Sequence, residues 1–331
     1  MHILRGRTLA QVGEKDLVKY IVSRLAEPDN RLLPPGDDAA GFVWHGGLLV
    51  SLDVLVAETD IPPGMGWRRA GAKAVVAVVS DMAAKSAQPK YLMTGLGLRG
   101  DMTFGDFEDL WLGIESAAAM YGASIIGGDV NQCTSPFIGV TAIGSAQTTH
   151  TRGGAKPGDL VACTGLFGST SAGLHALLNG RPEHASQRIL ESVYSPKARL
   201  KEGLALATVG GVTACIDSSD GLAESLYCIA EASGVGIHVS SPPADPEAEK
   251  YAEEHGLDFL KMMMYGGEEY ELVFTFEERC LGDVRRALGS SLNIIGRVVE
   301  DGGVRVDYGG KSLEVARMGW EHFKSGKARN P

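Results

Sequence analysis

The sequence predicts a two-domain protein of α/β (α+β) class, each half a layered arrangement of strands and helices. Three observations carry this. The chain has 331 residues, and at ~150 residues per domain that length accommodates two cores. Short apolar runs alternate with helix-period segments in both halves. The stretch SAQTTHTRGGAKPGD, Ser145–Asp159, is polar and carries glycine and proline, as a linker does. It sets the boundary, giving a first domain over 1–150 and a second over 151–331.

Along the first half, the apolar runs Gly47–Val54, Tyr91–Leu98, Ser124–Ile126 and Phe137–Gly144 read as strands. Trp67–Ser86 reads as a helix. It holds the most apolar segment, Ala70–Ala87, which Lys73, Asp81 and Lys85 interrupt, so it is a buried helix and not a membrane span. Asp106–Tyr121 is a second helix, because Phe107, Leu110, Trp111, Ile114 and Ala118 fall on one face at 3.6-residue spacing. In the second half, strands are expected at Leu160–Thr164, Gly236–Val239, Glu271–Phe276 and Asn293–Val299. Helices are expected at Thr170–Leu178, Pro196–Ala207 and Leu222–Ala232. Ser195-Pro196 reads as an N-cap followed by proline at the first helical position. The tail Lys324–Pro331 reads as frayed and solvated.

Composition excludes several classes of function. Lysine plus arginine is 31 and aspartate plus glutamate is 41, a net charge of −10. That balance argues against a nucleic-acid or anionic-membrane binder, which needs a basic face. The N-terminal stretch has no apolar signal-peptide core and no run of ~18 apolar residues occurs, so neither secretion nor a membrane span is expected. The five cysteines are scattered without a CxxC, as in reduced thiols of a cytoplasmic protein. The eight histidines show neither HxH nor HExxH spacing, so no histidine-based zinc motif is present. The 44 glycines point to tight turns and backbone-lined ligand loops.

Familiar nucleotide motifs fail on inspection. Gly95-Leu-Gly97-Leu-Arg-Gly100 matches GxGxxG, but the next helix starts after Phe104, too late to place its N-terminus at the third glycine. Gly310-Lys311-Ser312 resembles the end of a phosphate-binding loop, but Arg305 stands where the first glycine belongs. Thr164–Gly173 is glycine-rich and leads into a helix, so it could seat an anion or be an ordinary strand-to-helix turn.

The informative residues are aspartates in small-residue contexts: Asp37 and Asp38 in PPGDDAAG, Asp53 in VSLDVLV, Asp81 in VVSDMAA, Asp129 in IIGGDV, and Asp217 and Asp220 in IDSSDGL. Taken singly, each has an ordinary explanation as a turn, an edge-strand interruption, a solvent-facing helical residue or an N-cap. Together they are hard to explain so, because a carboxylate at the end of an apolar run is costly unless paired or bound to a metal. Clustered carboxylates, hydroxyls and backbone carbonyls suit Mg²⁺, which takes oxygen ligands. Mg²⁺ beside carboxylates suggests a triphosphate, since the ions bridge groups that would otherwise repel. The residues alone thus reach an Mg²⁺-dependent nucleotide or phosphate enzyme without a P-loop or Rossmann site.

The ordered set GDDAA (Gly36–Ala40), SLDVLV (Ser51–Val56), SDMAA around Asp81, GGD (Gly127–Asp129), SDGL (Ser219–Leu222) and GGEEYEL (Gly266–Leu272) resembles the thiamine-monophosphate kinase family, of the aminoimidazole ribonucleotide synthetase-like superfamily. The resemblance runs from about Gly13 to Phe323. It implies a homodimer whose N-terminal sheets pair across the dimer axis and a C-terminal α/β sandwich. It implies transfer of phosphate from ATP to thiamine monophosphate, giving thiamine diphosphate, with several Mg²⁺ ions. It implies metal contacts at Asp37, Ser51, Leu52 (through its backbone), Asp53, Asp81, Asp129, Asp217 and Asp220, and ATP contacts at Gly128, Asp129, Arg152 and Ser219. Glu268 and Trp320 match substrate-contacting positions, where an aromatic ring suits a flat pyrimidine and a cationic thiazolium. Asp53, Asp129 and Arg152 are the implied catalytic residues. Three departures stand out: Asp60 ends DVLVAETD where many members have histidine at a substrate contact, Glu269 replaces the aspartate of GEDYEL, and Val130 replaces the threonine of GGDT.

The acceptor is already an anionic phosphate monoester, so the resemblance implies direct in-line transfer without a strong base or a phosphoenzyme. Within the superfamily, selenophosphate synthetase is a poor match, since the first cysteine is Cys133, and the hydrogenase-maturation enzyme ends in a cysteine motif while this chain ends Asn330-Pro331. An aminoimidazole ribonucleotide synthetase-like enzyme is the enzymatic alternative. A non-catalytic nucleotide or thiamine-phosphate binding protein and a metal-stabilised structural dimer are the alternatives of other classes.

Overall fold

The computed structural model describes residues 5–25, 29–30 and 42–319. The chain divides into two compact units, Met1–Met82 with Gln88–Ala146, and Ala83–Ala87 with Gln147–Pro331.

The first unit holds strands β1 (Leu49–Val56), β2 (Gln88–Leu98), β3 (Ser124–Gln132) and β4 (Phe137–Ser145) in the order β1-β4-β2-β3. The β2–β3 pair is parallel and the others antiparallel, so β2 and β3 need a crossover helix. Its helices are α1 (Leu9–Val12), α2 (Glu14–Val22), α3 (Ala57–Asp60), α4 (Trp67–Ala84) and α5 (Phe104–Met120), with α5 as that crossover. Thr103 caps α5, its hydroxyl accepting from the Asp106 N–H at 3.0 Å. The face read from the sequence is the buried one: Phe107, Leu110, Trp111, Ile114 and Ala118 are at most 2% exposed. α4 and α5 approach so closely that a Cβ on Gly113 would lie 2.0 Å from the Arg68 carbonyl oxygen and one on Gly71 2.2 Å from that of Leu110. Glycine is required at both.

The second unit holds β5 (Leu160–Cys163), β6 (Val212–Ser218), β7 (Gly236–Val239), β8 (Glu271–Phe276), β9 (Asn293–Val299), β10 (Gly303–Tyr308) and β11 (Lys311–Glu314), ordered β11-β10-β7-β9-β5-β8-β6. Its helices are α6 (Ser169–Leu178), α7 (Gln187–Tyr194), α8 (Leu200–Leu206), α9 (Leu222–Ser233), α10 (Pro246–His255), α11 (Phe259–Tyr265) and α12 (Leu281–Leu288). Val161, Phe167, Ile216, Leu226, Ile229 and Val273 lie in one continuous core.

Several elements differ from the sequence expectation. β3 runs to Gln132 and not only to Ile126, because β2 pairs with its polar half through Leu98↔Gln132. The helix expected from Pro196 starts at Leu200 with no side-chain cap. Ser195 instead closes α7, its hydroxyl donating to Glu191 at 2.8 Å. The residue before a proline disfavours the α conformation, so Ser195-Pro196 stops one helix and does not start the next. Strands β6, β10 and β11 and helices α1, α2, α3, α7, α10, α11 and α12 go beyond the elements expected from the sequence.

Candidate functional site

In the first unit, the sheet carries Ser51 and Asp53 on one face, and Asp129 falls in a row of the other. Strand pairing aligns Ser51 with Ala142 and Leu92, and Asp53 with Val140, Thr94 and Gly128. Side chains alternate along a strand, so Ser51, Asp53 and the buried Leu55 share one face. Asp81 on α4 reaches this face and accepts a hydrogen bond from the Ser51 hydroxyl. Asp81 is therefore not a surface helical residue, and the structure brings Ser51 and Asp81 together, with Asp53 two residues along the same strand face. Leu52 sends its side chain the other way, where it is 62% exposed.

Asp129 lies at the far edge of the same sheet and in the next row, paired with Gly95. It is exposed and accepts from the Asn131 amide at 3.1 Å. Gly128 precedes it where a Cβ would lie 2.2 Å from the Thr94 carbonyl oxygen, so β2 and β3 close only over glycine. Asp60, expected from the sequence to meet substrate, accepts from the Val56 N–H at 2.7 Å and closes the turn after β1. Asp37 and Trp320 lie outside the described residues, as does Asp38.

In the second unit, Asp217 is buried at the end of β6, and Ser219 and Asp220 follow it in the turn before α9. The N-cap of α9 is Gly221, with φ +108° and no side-chain cap, so neither aspartate serves as a helix cap. The Ser219 and Ser218 carbonyls accept from the Glu268 N–H at 2.7 Å and the Tyr270 N–H at 2.9 Å. This backbone pairing lays GGEEYEL alongside IDSSDGL. Glu268 and Tyr270 adopt φ +64° and +52°, a left-handed conformation that is costly for residues with a Cβ and is held by surrounding bonds. Arg152 is exposed, and its charge helps to hold the Glu224 carboxyl low, after the larger effect of hydrogen bonding to Arg317.

Sequence reasoning missed four supporting residues. Between the two left-handed positions, Glu269 turns inward and accepts from the Gly168 and Thr170 N–H groups at 2.8 and 3.4 Å. The glycine-rich turn before α6 therefore does seat an anion, and that anion is this carboxylate. Burial pushes the Glu269 carboxyl up to about 7, against the pull of those N–H groups. Glu271 is buried against Arg199, with Nε 2.7 Å from Oε2, and accepts from the Thr164 hydroxyl at 2.6 Å. Lys73, only 1% exposed, donates to the Asp60 carbonyl at 2.8 Å. Thr94 is buried in the Asp53 row. The signal for Lys73 was in plain view, a lone lysine inside an apolar helix. Thr94 carried none.

Residues 36–146 match the AIR synthase related protein, N-terminal domain, and residues 156–309 the AIR synthase related protein, C-terminal domain. The thiamine-monophosphate kinase of Pyrococcus horikoshii is 35% identical over 322 residues, covering 96% of this chain and 98% of that protein. The chain belongs to the thiamine-monophosphate kinase family. Among solved structures, the complex of AaThiL with AMPPCP and TMP superposes with TM-score 0.74 at 26% identity, covering 96% of this chain and 99% of that one. The E. coli hydrogenase maturation protein HypE superposes with TM-score 0.76 at 23% identity, covering 92% and 97%; at that identity the likeness concerns the fold alone. Membership makes this chain an enzyme.

Proposed function

We infer that the protein transfers the γ-phosphoryl group of ATP to thiamine monophosphate, giving ADP and thiamine diphosphate. The observation that carries this is full-length membership of the kinase family at 35% identity. An AMPPCP–TMP complex of the same fold supports the substrate pair.

The acceptor phosphate is its own nucleophile, so the protein's task is to hold two polyanions in line and offset their repulsion. Ser51, Asp53 and Asp81, with Asp129, Asp217, Asp220, the Leu52 carbonyl and Asp37, would hold Mg²⁺. Ser51 and Asp53 on one strand face, with Asp81 of α4 bonded to Ser51, are hard oxygen donors, which fits that ion. Among the described residues no three His, Cys, Asp or Glu side chains converge on one point, so phosphate oxygens and water would complete each coordination shell. Mg²⁺, when bound, neutralises phosphate charge and fixes the transfer geometry. Gly128, Arg152 and Ser219 would meet ATP. Glu268 would meet thiamine monophosphate, with Trp320, and Asp60 would serve it by shaping the turn after β1. In this reading residues 1–150 would supply the dimer face and the contacts of Asp37, Ser51, Leu52, Asp53, Asp81, Gly128 and Asp129, and residues 151–331 would form the sandwich that contributes Arg152, Asp217, Ser219 and Asp220.

The same reading makes the protein a homodimer. Supporting it, Val50, Leu52 and Val54 alternate on the outer face of β1 at 59, 62 and 53% exposure, an apolar stripe of the kind that partners cover. Val50→Glu with Val54→Glu should convert a dimer to a monomer in light scattering; a dimer that survives both sinks that assignment. No helix among the described residues is long and apolar enough to cross a membrane, and five free cysteines suit the reducing cytoplasm.

The deciding experiment incubates the protein with ATP, Mg²⁺ and thiamine monophosphate and follows thiamine diphosphate by chromatography, with an EDTA control. EDTA-sensitive product is expected. Calorimetric binding of both substrates without product would overturn the kinase reading in favour of a binding protein.

A further inference from the structure

We propose that His184 and His255 form a two-imidazole site for a borderline divalent transition ion such as Zn²⁺, Ni²⁺ or Cu²⁺, at the end of α6 opposite to the Glu269-capped end. His175 and His184 stand on either side of a turn and His255 lies 71 residues beyond His184, so no spacing motif announces the three. The fold gathers them around a hollow of about 230 Å³ that Asn179, Arg181 and Tyr251 complete.

The geometry is that of a chelate. His184 Nδ1 and His255 Nε2 are 3.1 Å apart and hydrogen-bonded, so an ion would replace the proton between them. Two imidazole nitrogens bound to one ion at metal–nitrogen distances of ~2.0–2.1 Å lie about 3.0–3.4 Å apart for bond angles between a right angle and the tetrahedral value. The rings are tilted, with centroids 5.3 Å apart. His255 is also prepared as a ligand. Its Nδ1 lies 2.8 Å from the Tyr251 carbonyl oxygen. A carbonyl only accepts, so Nδ1 carries the proton and Nε2 of the neutral ring presents its lone pair, the arrangement that orients metal-ligating histidines. Stacking of His255 on Tyr251, centroids 4.1 Å apart, fixes the ring plane. On His184 the other nitrogen faces Glu183 at 3.9 Å.

The surroundings select the class of ion. His175 and His255 lie in the last turns of α6 and α10, where backbone carbonyls give a partial negative charge. Arg181 opposes a cation at the rim, and the hollow is lined by no carboxylate. Binding therefore depends on bond strength to imidazole, which favours Zn²⁺, Ni²⁺ and Cu²⁺ over Mg²⁺ and Ca²⁺. His175 Nδ1 is engaged by the Tyr251 hydroxyl at 2.9 Å, so solvent supplies the remaining ligands. Both ligands sit at accessible positions away from the phosphoryl-transfer residues, so an ion here would clamp the segment before α7 to the end of α10.

The test titrates EDTA-stripped, desalted protein with Zn²⁺ and with Cu²⁺ in the presence of excess Mg²⁺. One equivalent should bind, and the Cu²⁺ electron paramagnetic resonance spectrum should show coupling to two nitrogens. His184→Ala and His255→Ala should each weaken Zn²⁺ binding by at least ~10-fold, the loss of one of two ligands, with phosphorylation activity unchanged. Absence of Zn²⁺ binding in the wild type, affinity kept in either variant, or a Cu²⁺ spectrum without two nitrogens would overturn the proposal.

Discussion

The two units hold their acidic residues in different ways. In the first, Ser51 and Asp53 ride on a regular strand, and the support for Asp81 is one hydroxyl from that strand. In the second, Asp217, Asp220 and Glu268 sit on a strand end and two irregular segments, held together by backbone bonds through left-handed residues. Regular structure positions a carboxylate at little conformational cost. A strained loop does so only while its whole neighbourhood is intact. In the first unit, then, mutations of the acids should damage chemistry and spare the fold. In the second, mutations of the frame should damage both.

The largest expected effect tests the first half of that contrast. Asp53→Asn keeps size and strand position but removes the charge proposed to hold Mg²⁺. It should lower kcat by at least ~10²-fold while leaving the thermal midpoint within a few degrees. A normal kcat would remove Asp53 from the site; a collapsed midpoint would show that this carboxylate supports the fold instead.

Gly221→Ala tests the second half. Gly221 has φ +108°, and a Cβ there would lie 3.1 Å from the Gly266 carbonyl oxygen and from the Tyr265 carbonyl carbon. Both the strain and the contact push GGEEYEL away from IDSSDGL. Destabilisation on the order of 2–3 kcal/mol is expected, together with a fall in kcat. An unchanged midpoint would show that the pairing of the two segments tolerates movement.

This contrast also explains what the sequence revealed. The strands of the first unit were legible because their apolar runs are continuous, and α5 because its apolar face is regular. The polar half of β3 was not, since Asp129, Asn131 and Gln132 pair through their backbones while their side chains are exposed. α10, PEAEKYAEEH, escaped because charged residues dominate it, although Asp245 and Pro246 mark its start and the Asp245 carboxylate accepts from the Glu247 N–H at 2.9 Å. For the site, Asp53, Asp81, Asp217 and Asp220 stood out because each interrupts or ends an apolar run. Glu269 was visible only as a departure from GEDYEL, and nothing local to residue 269 shows that its partner is a helix terminus about 100 residues away.

Glu269 supplies a pH test of the strained frame. Its carboxyl moves from 4.5 to about 7 on folding, chiefly through burial. The folded chain thus binds the proton more tightly than the unfolded chain. That contribution to stability is complete below about 4.5 and is lost as pH rises through about 7. Glu269→Gln keeps an oxygen for the Gly168 and Thr170 N–H groups and carries no charge at any pH. Compared with wild type in urea titrations, it should lose this pH dependence and gain on the order of 2 kcal/mol at pH ~8. Equal slopes between pH ~5 and ~8 would show that the carboxylate is already ionised in the folded protein.

Ser51→Ala gives the smallest and most selective effect. The Ser51 hydroxyl donates to Asp81 from a strand whose backbone is paired with β4 along its whole length. Removing it should cost the fold ~1 kcal/mol or less, the usual net value of one hydrogen bond, because Asp81 can turn to water on this partly exposed face. Catalysis should respond differently. The substitution removes one proposed oxygen donor and loosens Asp81, so the Mg²⁺ concentration giving half-maximal rate should rise by roughly 10-fold, with kcat at saturating Mg²⁺ reduced less. That split separates a donor that positions the ion from one that reacts. If instead kcat at saturating Mg²⁺ fell as far as in Asp53→Asn, the two residues would belong to one indivisible metal centre. The regular strand would then be as intolerant of change as the strained loop it was contrasted with.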